Sequence, residues 1–213
     1  MTINEYYKWL KKEWAKVGFI LSIFLFTILF VIVRKYDFII FVLLLHTPLY
    51  MLHQTEEYVF PGGFPEFFTT KIFNLKKEDT PLSENFIFFV NIPLVWIILP
   101  FFALLSIINY QYGLWIPYFS LFAGVAHIVL AIKAKKIYNP GLAVSLFLNI
   151  PVGLWSIIYL KNAGIINNLF LNLHMWIGLG INAALPVLGV LLYKNYRKRQ
   201  EKRVSKTHIY NGS

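Results

Sequence analysis

The residues best suited to chemistry fall together at His53-Gln54-Thr55-Glu56-Glu57. On a helix, residues three and four apart share a face, so His53 lies one turn from both Glu56 and Glu57. An imidazole and two carboxylates so placed can bind a divalent cation or carry a proton. Charged residues also end helices simply by meeting water. Two adjacent carboxylates at the C-terminal end of a helix, however, oppose its dipole, and a cation or a proton there relieves the opposition.

The segments that must hold this motif are strongly apolar. Of the 213 residues, 58% are hydrophobic, 18% aromatic and only 14% charged, against roughly 45–50% apolar and a quarter charged in a soluble domain. The mean hydropathy is +0.60. Six uncharged stretches carry most of the apolar content: Val17 to Val33, Phe38 to His53, Phe86 to Ile108, Leu114 to Ile132, Gly141 to Leu160 and Ile166 to Tyr193. A helix crosses the hydrocarbon core with roughly 20 residues, and hydrocarbon leaves no water for unpaired backbone groups. None of the stretches alternates with a period of two, so strands are excluded. The expected fold is an all-α integral membrane bundle of about six transmembrane helices in one domain, with 1–16 as N-terminus, 17–193 as bundle and 194–213 as a basic tail. The run to Val33 ends without a small-x-small cleavage site, which favours a retained helix over a signal peptide. There is no cysteine, hence no disulfide and no thiolate ligand.

The formal charge of +10 is a matter of distribution. On a six-span topology, all Lys and Arg except Arg34, Lys35 and Lys161 fall on the side that holds both termini. The excess of positive charge marks that side as cytoplasmic, and the expected location is the plasma membrane of a prokaryote. The tail residues Lys194, Arg197, Lys198, Arg199, Lys202 and Arg203 are then a topology signal that can touch anionic headgroups. The expected partners are membrane lipids and an apolar or lipid-like substrate, with no nucleic acid.

The sequence resembles the HXXEE family of small multi-span membrane proteins. The resemblance lies in His53-Gln-Thr-Glu56-Glu57, in the continuation Tyr58-Val-Phe-Pro61-Gly62-Gly63-Phe64-Pro65, and in a later His127 followed by Tyr138-Asn-Pro140-Gly141. It covers roughly the second span to the fifth and implies that the histidines and glutamates carry the function, without naming a reaction.

Helix direction supports a pairing of these motifs. The fourth span runs inward and ends near Lys133, so His127 is expected about two turns beneath the surface that carries His53. His46, seven residues before His53, is expected on the same face at a depth similar to His127. His174 belongs nearer the opposite side, unless the sixth helix tilts or kinks. Asn91 and Asn149 are expected about two turns from the cytoplasmic end, bridging helices or orienting a histidine.

Histidine and carboxylate without thiolate suit zinc, iron or manganese. The spacing is not that of His-Glu-x-x-His; it is closer to the inverted His-x-x-Glu-His arrangement, with glutamate in place of the second histidine. In a mononuclear site His53, Glu57 and His127 would ligate the ion and Glu56 would be the catalytic base, with His46, His174 and Asn91 as further candidates.

After the motif, Pro61-Gly62-Gly63-Phe64-Pro65 forces a turn. Phe64, Phe67, Phe68, Ile72, Phe73 and Leu75 then recur as an apolar face suited to the membrane interface, as an anchor or as a lid. Two classes of function follow: a metal-dependent membrane hydrolase or oxidoreductase acting on a lipid-like substrate, or a proton- or cation-coupled transporter or non-catalytic membrane protein using the same polar cluster. No duplicated halves with matching broken helices favour transport.

Overall fold

The computed structural model describes residues 2–210, with side chains as far as Glu201. The side chains of Lys202 and Arg203 in the expected basic tail lie outside the described residues. Six helices are long and apolar enough to cross a membrane: α1 (Ile3–Tyr36), α2 (Phe38–Tyr58), α3 (Glu84–Leu105), α4 (Trp115–Lys133), α5 (Leu142–Asn162) and α6 (Leu173–Tyr210). There is no strand among the described residues. The architecture is the all-α bundle expected from the sequence.

Local chemistry sets the helix ends. Thr2 and Glu5 form a reciprocal capping box that starts α1 well before the apolar run. The Asp37 carboxylate accepts from the amides of Ile39 and Ile40 and starts α2. The last helix begins at Leu173 rather than at Ile166. Hydropathy alone joins Ile166 to the helix, yet the Asn172 side chain accepts from the amide of Met175 and caps the helix there. Leu171 just before it adopts φ +61°. The preceding loop is held to α4, because the Tyr118 hydroxyl donates to the Leu169 carbonyl and accepts from the Asn172 amide.

Two helices form the centre. α2 and α4 are buried along most of their length, whereas α1, α3 and α6 turn most of their surface outward. α1 packs along α2, and α4 packs against α2, α5 and α6. Apolar side chains gain little by leaving lipid, so small residues that let backbones approach matter most. At Gly153 of α5 a Cβ would lie 3.1 Å from the Leu121 backbone, and at Gly178 of α6 it would lie 2.7 Å from the Phe119 nitrogen. Because successive spans alternate in direction, α2 and α4 both end where α5 begins. That end, the motif end, collects the conspicuous polar groups.

Candidate metal centre

Two helices and one loop build the centre. His53 and Glu57, one turn apart on α2, face His127 of α4, and all three are buried. The Glu57 Oε1 lies 3.6 Å from His53 Nε2 and 3.3 Å from His127 Nε2. The imidazole rings meet edge to face at a centroid distance of 4.6 Å. One ligand atom from each residue lies within 4.8 Å of the others. Ligand atoms that share a tetrahedral ion at about 2.0–2.2 Å stand roughly 3.3–3.6 Å apart, so both carboxylate–imidazole distances fit a common ion.

The Tyr138–Gly141 loop orients the imidazoles. The Asn139 amide donates to the His127 carbonyl at 2.9 Å, which leaves its oxygen to accept from His127 Nδ1 at 2.7 Å. That hydrogen bond places a proton on Nδ1 and turns Nε2 toward Glu57, the outer support that metal-bound histidines ordinarily have. Gly141 has φ +97°, and a Cβ there would collide with His127 and lie 2.9 Å from His53 Cε1. Only glycine lets the loop press against both rings.

Glu56 points elsewhere. Its carboxylate accepts from the Tyr138 hydroxyl at 2.8 Å, the Ala143 amide at 3.0 Å and the Val144 amide at 2.7 Å. It therefore caps α5, and the positive end of that helix stabilises its charge. Burial, then the carboxylate beside it, hold the Tyr138 phenol above its ordinary pKa, so it remains a donor. Glu56, expected as the catalytic base, thus has both oxygens occupied by three donors at the start of α5 and does not face the two imidazoles.

The remaining candidates disperse. His127, expected two turns deeper than the motif, stands level with His53. His46 is thereby left behind, two turns away along α2, where its Nε2 meets the Ser156 hydroxyl at 3.1 Å. His174 meets the Gln111 side chain at 2.8 Å, at the opposite end of the bundle. Asn91 bridges helices: it accepts from the Gln54 amide at 3.0 Å and donates to the Ile87 carbonyl and the Tyr58 hydroxyl. Asn149 is buried and has no partner for its side-chain amide among the described residues.

Sequence reasoning gave no role to Asn139, though it lies in the quoted Tyr138–Gly141 segment, and passed over Tyr50. Asn139 follows a break after α4 and carries no periodic signal. The Tyr50 ring packs on that of His53 at a centroid distance of 5.0 Å, tilted by 52°, and its hydroxyl has no hydrogen-bond partner among the described residues. It precedes His53 by three, a spacing that could have marked it.

The 64–72 segment folds over the centre. The Phe64 ring lies 5.7 Å from that of His127, Phe68 packs on Phe73 at 5.0 Å, and Phe73 stacks on Tyr193 of α6 at 4.9 Å. Beneath it lies a cavity of about 430 Å³, with Glu57, His127 and Tyr50 on its wall and otherwise largely apolar residues of α3, α4 and α6.

A family model described as a protein of unknown function with an HXXEE motif matches residues 44–156. That range includes His53, Glu56, Glu57, His127, Asn139 and Gly141. No curated protein and no solved structure matches the chain.

Proposed function

This chain belongs to the HXXEE-motif family, and from that premise we propose that it is a metal-dependent membrane enzyme acting on a lipid-like substrate. The observation that carries the reading is the convergence of His53, Glu57 and His127 at ligand spacing on the wall of an apolar cavity. A buried carboxylate facing two imidazole nitrogens calls for a cation or for protons between them.

His53, Glu57 and His127 would hold a zinc, iron or manganese ion, which would supply Lewis-acid polarisation of a substrate oxygen and activation of water. The chain's own residues do the rest. Asn139 fixes the His127 ring, Gly141 admits both rings, and Glu56 ties α2 to the start of α5 so that Glu57 keeps its place. Tyr50, with its hydroxyl uncommitted, donates a hydrogen bond to an oxygen of the substrate. Phe64 and Phe68 exclude water from the centre. The excess of Lys and Arg at the motif end sets that end in the cytoplasm and the chemistry at the inner leaflet.

The test is metal analysis of the purified protein beside a His53→Ala, Glu57→Ala variant. The expected result is about one divalent ion per chain in the parent and none in the variant, as three ligands suffice for a catalytic site. Equal, near-zero metal in both overturns the reading.

A further inference from the structure

The cavity has a shape that the catalytic reading alone does not require. α6 leans closely on α4 at Gly178, and the Asn182 amide donates to the Phe119 carbonyl at 2.8 Å. Toward the motif end the two helices part. There α6 is next held at Gly189, against Phe68 and Phe73, and at Tyr193. Between these fixed points α6 makes no packing against α3 comparable to that against α4. The gap exposes Ala126 and Val129 of α4 and Ala183 and Pro186 of α6. All four are apolar.

The way in is therefore sideways. On the side of the motif-end loops, the Phe64, Phe68, Phe73 and Tyr193 rings roof the cavity against water. The walls that α3 and α6 contribute are apolar except at Asn91 and Asn182. Polarity is confined mainly to the inner wall, where Tyr50, Glu57 and His127 gather.

We propose that this cavity binds a lipid with a single hydrocarbon chain, which enters laterally from the bilayer between α3 and α6 and presents its polar end to Tyr50 and the His53–Glu57–His127 group. Volume selects one chain. At about the 30 Å³ share of a water molecule for each methylene, 430 Å³ holds roughly fourteen, the measure of one acyl chain. The wall selects chemistry, because a hydroxyl donor beside a cation site suits a carboxyl, ester or alcohol oxygen at the end of the chain. The proposal rests on the function proposed above and names its substrate class.

A palmitic acid analogue carrying a diazirine and an alkyne is the probe, used on the whole protein in lipid nanodiscs. Irradiation is expected to label peptides from α3, α4 and α6 that border the cavity, with competition by palmitate or lysophosphatidylcholine and none by excess two-chain phosphatidylcholine. Ala183→Trp, which puts an indole into the gap, is expected to lower labelling about tenfold, and Ala126→Trp, from the facing helix, to do the same. Size-exclusion behaviour and metal content of both variants, unchanged from the parent, show that the bundle and the centre persist. His127→Ala is expected to lose metal and to weaken labelling only a fewfold, because it removes a contact of the polar end and leaves the apolar walls on α3, α4 and α6, so failure of the metal reading and failure of this one separate. Labelling spread evenly over the outward faces of all six helices, or undiminished in both Trp variants, overturns the proposal.

Discussion

Glu56 and Glu57 are adjacent in the chain and serve different helices: Glu56 caps the start of α5, and Glu57 faces the imidazoles of His53 and His127. The pair looks like a repulsive cluster at the end of α2. Each charge instead has its own compensation, one from the positive end of a neighbouring helix and one from two histidines.

Substitution of the two should therefore separate. Glu57→Gln should abolish metal binding and leave thermal unfolding in detergent within a few degrees of the parent. Glu56→Gln should keep the metal and lower stability by about 1–2 kcal/mol, the value of a charged helix cap. Metal analysis and thermal melts on the same preparations decide it. Equal metal loss in both variants contradicts the division.

Asn139→Ala should lower metal affinity about 10–100-fold, the usual effect of removing the partner of a ligating histidine. Asn139→Asp keeps an acceptor for His127 Nδ1 but loses the donor to the His127 carbonyl, and should recover only part of the affinity. Competition titration with a chelator measures both.

Gly141→Ala meets both imidazoles and a positive φ at once. It should destabilise the protein by about 1–2 kcal/mol from backbone conformation alone, with further loss from the collision, and reduce metal content together with the melting temperature. A variant with the parent's metal content and melting point would contradict the close approach.

His46→Ala and His174→Ala should leave metal stoichiometry unchanged. The first removes the partner of Ser156 in the middle of the bundle and should cost about 1–3 kcal/mol of stability. The second touches only Gln111 and should have a smaller effect. Loss of metal in either case contradicts the three-residue centre.

Much of this protein is local in origin and could be read from the chain. The six spans follow from uninterrupted hydrocarbon-compatible runs, and the shared face of His53 and Glu57 follows from the helix period. Alternation of spans brought His127 to the motif end, though a depth reckoned from the loop boundary was two turns off. Hydropathy also overran the start of α6, because it does not register the Asn172 cap.

What only the tertiary structure decided is which group answers which charge. Nothing in the order His-x-x-Glu-Glu says that the first glutamate will meet the amides of Ala143 and Val144, about ninety residues later. That depends on how α5 docks on α4 through close contacts at Gly124 and Gly153, which sets its start, beside Gly141, against the end of α2. The same holds for the cavity, which exists because α6 touches α4 at Gly178 and then stands off from it. Helix periodicity is a property of one segment; the docking of helix ends and the gaps between helices are properties of packed surfaces, and only the folded bundle sets them.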